Sequence, residues 1–230
     1  RLNSCKSAVC LLQIYLHVKY LITDHKRTGF MTQAERKERT RAQIEAAGIK
    51  CFSKKPFDAV TMEEIAAQAQ YTKRTVYNYF PTKTSLLASI FENKLEALYS
   101  IELHTLEKCT SARDVIYVHA MELSKFTENN LNFMHMFWSL KDNISNSEVP
   151  EETLTHIISI NRKLIDTPVR YWRKFELTGF LANYTPEVII HYISAVNKGL
   201  VLQCDKENAL CLNGPGKDLL TNFALDSLLH

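Results

Sequence analysis

The sequence predicts an all-α protein, with a small N-terminal three-helix head followed by a larger helical body. Three observations carry this. Apolar residues recur at helical spacing along most of the chain, and no segment alternates apolar and polar residues as a half-buried strand does. Gly and Pro number six each in 230 residues, below the roughly 7% and 5% of ordinary usage, so the turns needed between many short strands are missing. The punctuation that does occur falls where Ser, Thr or Pro can open a helix. With 46% apolar and 23% charged residues the chain can bury a core, and disorder is excluded.

The first segment, residues 1–30, is expected to be an extension outside the functional fold, with the functional protein starting at Met31. Its apolar run at 8–22 is interrupted by Gln13, His17 and Lys19, short of the ~18 clean residues of a membrane span. No small-x-small cleavage site follows it. No membrane association is therefore expected.

From Ala34 to Phe52, Ile44, Ala47, Cys51 and Phe52 form an apolar stripe opposite crowded charges, which predicts a helix ended by Pro56. Thr61-Met62-Glu63-Glu64 is a capping box that starts a short second helix burying Ile65, Ala66 and Ala69. Thr72 caps a third, Lys73 to Phe80, and Thr82 a long fourth carrying Leu87, Phe91, Lys94, Leu95 and Leu98. Ser111 and Asp114 open a segment with Val115, Val118, Met121 and Leu123, which runs into an aromatic, Met-rich block. Pro150 opens the next helix, Pro168 is expected to kink or divide it, and Gly179 to end it. Pro186 stands at the first position of a helix with Val188, Ile189, Tyr192, Ile193, Val196 and Leu200. After the turn at 213–216, a last helix is expected over Lys217 to His230.

The net charge of +3 hides an asymmetry. Residues 26–83 carry twelve Lys/Arg against six Asp/Glu, and residues 85–230 thirteen against eighteen. A basic head on an acidic body points to a polyanion partner for the head, although charge alone does not separate this from an ordinary solvated face. The six cysteines form no C-x-x-C pair, consistent with reduced thiols in the cytoplasm. His119 and His135 can each serve a metal, but a lone helical histidine is ordinarily a packed or surface residue, and neither a metal site nor a cofactor is expected. No nucleophile with its base and no phosphate-cradling glycine loop is found, which argues against an enzyme.

Three short helices, the last two joined by a tight turn, have the layout of a helix-turn-helix, whose second helix enters the DNA major groove. Lys73, Arg74, Thr75, Asn78 and Tyr79 fall on or near the outer side of the third helix, with Val76 and Phe80 inward. Lys and Arg donate to guanine, Asn pairs with adenine, and Thr offers its methyl to thymine. Thr61 and Lys83 stand at helix N-termini that favour phosphate, and the Tyr77 phenol reaches the same backbone. The plain alternative is a small three-helix unit whose charges only solvate it.

Ile44, Ala47, Gly48 and Phe52, then Thr61, Ile65 and Ala66, then Thr72, Thr75, Val76, Tyr77, Tyr79 and Phe80, then Lys83 and Leu86 keep the order and spacing of a known pattern. From Ala42 to Leu87 the chain resembles the DNA-binding head of TetR-type (TetR/AcrR) transcriptional regulators. This implies base contacts by Lys73, Arg74, Thr75, Asn78 and Tyr79, and phosphate contacts by Thr61, Tyr77 and Lys83. Arg36, Lys37, Arg39 and Arg41 would add backbone or minor-groove contacts. Gly48, Cys51, Pro56, Gln70 and Arg74 depart from the family's usual residues. Gln70, where a Gly is usual, implies a turn that does not need positive φ, and Arg74 implies an altered operator sequence.

The resemblance implies a head over residues 31–84 and a ligand-binding, dimerising body over residues 85–230. Residues 185–204 and 217–230 would pair with a second copy, and the homodimer would read a near-palindromic double-stranded DNA operator. Tyr117, Met121, Phe133, Met134, Phe137, Trp138, Tyr171, Trp172 and Phe175 are candidate lining for a pocket that takes a small apolar or amphipathic effector. Asn132, His119, His135 and Arg170 are candidate polar anchors, although any one of these residues is equally an ordinary core or surface residue. The implied function is a ligand-responsive repressor. The alternative is an activator, or an architectural or division-site factor, without small-molecule input.

Overall fold

A computed structural model describes residues 31–141, 148–176 and 182–203. Among them are seven α-helices and no strand: α1 (Gln33–Phe52), α2 (Met62–Ala69), α3 (Lys73–Tyr79), α4 (Lys83–Leu106), α5 (Ala112–Lys141), α6 (Glu151–Trp172) and α7 (Pro186–Gln203). The expected helix over 217–230 lies outside the described residues. No helix of the described residues is long and apolar enough to cross a membrane.

Among the described residues, packing separates residues 31–43 from a compact unit that begins at Ile44. In the first, Thr32 and Glu35 close a reciprocal cap: the Glu35 amide donates to Thr32 Oγ1 at 3.2 Å and the Thr32 amide to Glu35 Oε2 at 2.8 Å.

In the second unit, three apolar clusters are strung along α4. Leu86, Leu87 and Ile90 join Ile44, Ala47 and Phe52 of α1, Met62, Ile65 and Ala66 of α2, and Val76 and Phe80 around α3. Ala88, Phe91, Leu95 and Leu98 pack with Met134 and with Ile157, Ile160 and Leu164 of α6. Leu106 belongs to a third cluster with Val115, Ile116 and Ala120 of α5, Val169 and Trp172 of α6, and Ile189, Ile190 and Ile193 of α7. Residues 85–91 are buried on every side because the first two clusters enclose α4 from opposite faces. The expected boundary between residues 84 and 85 falls inside this helix.

Polar ties fix the packing. Glu45 accepts from Ser89 Oγ at 2.7 Å and from Asn93 Nδ2 at 2.8 Å, holding α1 on α4. His156 of α6 sits between Glu92 and Glu96 of α4, at 2.6 and 3.0 Å. Gly48 lets α1 approach closely, since a Cβ there would meet Leu86 Cδ2 at 3.0 Å and Ile90 Cδ1 at 3.2 Å. Gly48→Val is expected to destabilise the fold by about 2 kcal/mol through overpacking, measured by urea denaturation. A loss below about 0.5 kcal/mol would show that α4 yields.

Two expectations are corrected. α6 runs through Pro168 without division and ends at Trp172, not at Gly179, which lies outside the described residues. Pro168 lies one turn before the end of α6, where it forgoes a single amide bond, to the Leu164 carbonyl, and the helix continues to Trp172. The break in helical backbone falls instead in α5, at Asn130 (φ −132°, ψ 17°). There the side-chain Nδ2 of Asn130 donates to the Phe126 carbonyl at 2.8 Å, and Lys94 of α4 donates to Asn130 Oδ1 at 2.6 Å. A side chain competing for the carbonyl one turn back is a recognised cause of such kinks. Burial pushes the Lys94 ammonium below its ordinary pKa, and it lies over the face of Phe133, 5.2 Å from the ring centre.

Candidate nucleic-acid interface

Each helix of the head starts on a threonine. Thr61 Oγ1 accepts from the Glu64 amide and Glu64 Oε2 accepts from the Thr61 amide, both at 3.2 Å. Thr72 Oγ1 accepts from the Thr75 amide at 3.1 Å, and Thr82 Oγ1 from the Ser85 amide at 2.9 Å. These caps satisfy backbone donors that the helices leave free, so α2, α3 and α4 begin at fixed points.

The turn between α2 and α3 corrects the reading of Gln70. Its backbone is left-handed, φ 61° and ψ 35°. The Gln70 amide bonds the Ala67 carbonyl at 3.1 Å and the Tyr71 amide bonds the Ala66 carbonyl at 3.0 Å. This is a Schellman end, which demands positive φ whatever the residue. The usual glycine is therefore replaced at a cost, because a Cβ is disfavoured in this region by about 1–2 kcal/mol. Gln70→Gly is expected to raise stability by about 1 kcal/mol, since the strain relieved exceeds the added freedom of the unfolded chain. A thermal melt unchanged or lowered would contradict this.

With the turn set, Val76 is fully buried and Phe80 nearly so, and they fix the roll of α3. Lys73, Arg74, Tyr77 and Asn78 are all exposed, and spacings of one and four residues gather them on one face. Tyr77 is 38% exposed. The Lys73 ammonium lies 5.6 Å from its ring centre.

The other expected contacts are placed differently. Tyr79 is half-buried against the head cluster. Thr75 is half-buried, with its hydroxyl 2.8 Å from that of Thr72. Lys83 stands at the N-terminus of α4, where its Nζ donates to the Phe57 and Val60 carbonyls at 2.6 and 2.7 Å and lies 4.3 Å from the Phe57 ring centre. Two of its three donors thus hold the 57–60 loop, and desolvation lowers its pKa. Lys73 is paired with Glu63 of α2; their hydrogen bond raises the lysine pKa and lowers that of the carboxyl. Glu64 is likewise lowered, by its bond to Lys55. Both carboxylates contribute stability present above their unfolded pKa and lost as pH falls through the folded one.

Arg36, Lys37 and Arg39 are exposed and Arg41 is half-buried, all in the first half of α1.

Of the nine residues expected to line a pocket, the seven whose side chains are described fall into more than one cluster. Tyr117 is half-exposed. Phe133 packs into the head cluster, Met134 into the α4–α6 cluster, and Met121, Tyr171, Trp172 and Phe175 into or against the α5–α7 cluster. Alternate residues of a helix point to different neighbours, and a composition block does not show this. The side chains of Asn132, His135, Phe137 and Trp138 lie outside the described residues. Arg170 is exposed, and His119 is fully buried. Missing from the sequence reading was Glu102, which is 1% exposed and bonded to His119. Its signal is its place on the α4 stripe of Phe91, Leu95, Leu98 and Leu106.

Residues 44–90 match the family model described as bacterial regulatory proteins, tetR family. The HTH-type transcriptional repressor NicS of Pseudomonas putida is 33% identical over 84 residues, covering 34% of this chain. The chain spans only 39% of the length of that curated relative. Among solved structures, a TetR/AcrR-family regulator from Thermobifida fusca superposes with a TM-score of 0.65 at 18% identity, over 83% of this chain and 98% of its own. FadR of Bacillus subtilis, in complex with stearoyl-CoA, gives 0.57 at 18% identity, over 82% and 97%.

Proposed function

We propose that the chain, whose residues 44–90 match the model of the tetR family of bacterial regulatory proteins, is a TetR-type ligand-responsive repressor binding a near-palindromic operator as a homodimer in the cytoplasm. The observation that carries this is the exposed face of Lys73, Arg74, Tyr77 and Asn78 above the buried Val76 and Phe80. Arg74 and Asn78 supply donors and acceptors suited to base edges, while Tyr77 and the caps at Thr61 and Thr72 suit phosphates. Lys73 joins them by exchanging Glu63 for DNA. Lys83 acts chiefly by ordering the 57–60 loop beside α4, with one donor left for phosphate.

Dimerisation is supported by α7. Ile189, Ile190 and Ile193 are buried, yet Val188 and Tyr192 are 52% and 48% exposed. With Ala195 they form a second apolar face, and a Cβ added at the nearby Gly199 meets nothing within 4 Å. A helix apolar on both sides is suited to a partner, and a second copy supplies the twofold axis that a palindrome mirrors. Tyr192→Asp is expected to weaken the dimer about a hundredfold while leaving helicity intact, read by sedimentation. An unchanged sedimentation coefficient at micromolar concentration would sink the proposed interface.

Ligand response is supported by the path of α5. Its first half carries Val115, Ile116 and Ala120 in the α5–α7 cluster, and beyond the Asn130 kink Phe133 meets Phe52 of the head, rings 5.9 Å apart and near perpendicular. An effector that favours one arrangement of the body thereby shifts the head through a packed helix, and coupling of about 1–3 kcal/mol is enough for induction. FadR with bound stearoyl-CoA is a precedent for a small molecule held by this fold.

A further inference from the structure

The α5–α7 cluster is apolar except for a set of groups whose hydrogen bonding is incomplete. Glu102 of α4 and His119 of α5 are both essentially removed from solvent, with Glu102 Oε1 2.5 Å from His119 Nδ1. A carboxylate can only accept, so Nδ1–H donates, and Nε2 stands 3.3 Å from Ser194 Oγ of α7. Glu102 is thus held by one oxygen. Its other oxygen, Oε2, is buried with no partner, and so is the indole Nε1–H of Trp172, itself fully buried in α6. Ile116 and Ala120 flank His119, Leu106 lies one turn beyond Glu102, and Ile190 and Ile193 precede Ser194; all of these share a cluster with Trp172.

Buried polar atoms are almost always paired, because an unpaired one forfeits its hydration for nothing. Here one acceptor and one donor stand unmet in a single body, on α4 and α6, with His119 and Ser194 adding α5 and α7. We propose that Glu102 Oε2 and Trp172 Nε1 are the polar contacts of an effector site, and that its ligand is a small apolar molecule bearing a protonated amine. The ammonium donates to Oε2, and an ether or carbonyl oxygen on the ligand, where present, accepts from the indole. Burial makes the carboxylate selective: it rewards an ammonium over a hydroxyl of equal size because the charge is met as well as the hydrogen bond. His119 and Ser194 act as positioning residues that hold the carboxylate in one rotamer.

The inference rests on the reading that the body holds an effector. It is tested on the full chain with matched probes: hexylamine against hexanol, benzylamine against benzyl alcohol, and 3-methoxybenzylamine against 3-methoxybenzyl alcohol, by thermal shift and calorimetry. At least one amine is expected to stabilise the wild type where its alcohol does not, and to bind at least tenfold more weakly to Glu102→Gln, which keeps an acceptor for His119. Trp172→Phe is expected to lose the extra affinity of the methoxy probe while retaining benzylamine binding. Equal shifts from every amine and its alcohol, or an amine preference surviving in Glu102→Gln, would overturn the proposal in favour of buried waters completing these groups. Gel shifts of wild type and Glu102→Gln without amine keep the two readings apart. Retained DNA binding with no amine effect rejects the site alone, and absent DNA binding in both rejects the regulator.

Discussion

Arg74→Ala is expected to weaken binding to a DNA fragment enriched by this protein from a random-sequence pool by about ten- to a hundredfold, with relaxed preference at one base pair per half-site. Arg74 is exposed on α3, beside Lys73 and one turn before Asn78, and Val76 on the buried side fixes the direction of that face. A guanidinium there has no packing role, so the helix and its caps survive the substitution. Tyr77→Phe should lose much less, about three- to tenfold, and uniformly across sequences, because a phosphate contact carries no base information. The two variants therefore differ in pattern as well as size. Equal, sequence-independent losses would mean that the Lys73–Asn78 face only neutralises phosphates, and no loss in either would move the interface elsewhere.

Phe133→Ala should cost about 3 kcal/mol of global stability and uncouple head from body. The ring is 6% exposed, seated in the head cluster edge-on to Phe52, and is covered by the Lys94 ammonium. Truncation leaves a cavity that α1 and α4 close only in part, because the bonds of Glu45 to Ser89 and Asn93 already fix their spacing. Phe133→Leu keeps most of the volume and should lose about 1 kcal/mol. Urea denaturation gives both numbers. A loss below 1 kcal/mol for the alanine variant would remove the contact on which the proposed path through α5 depends.

What was legible in the sequence was local. Thr61, Thr72, Thr82 and Ser111 are caps whose bonds reach only three residues ahead, so residue type and spacing suffice to place them. The inward direction of Val76 and Phe80 follows from the same short range. What was not legible depends on partners far along the chain. Gln70 adopts positive φ because the end of α2 must close before α3 can pack, and its side chain gives no sign of that. Lys83 is drawn to carbonyls 23 and 26 residues away, and the third cluster draws Glu102 inward to His119. Phe133 and Met134, neighbours in the aromatic block of α5, join different clusters, because composition does not say which neighbour each residue of a turn faces. A kink at Asn130, fixed by Lys94 from another helix, sends Phe133 to the head instead.

The most direct test of the docking face is selection by the full chain from random double-stranded DNA, followed by titration of the enriched fragment against an unrelated one at fixed salt. Two mirrored half-sites protected together, a dimer bound per fragment, and a preference of about a thousandfold or more are expected. Binding that is equally tight to unrelated DNA and to heparin, with no sequence enriched, would contradict that expectation.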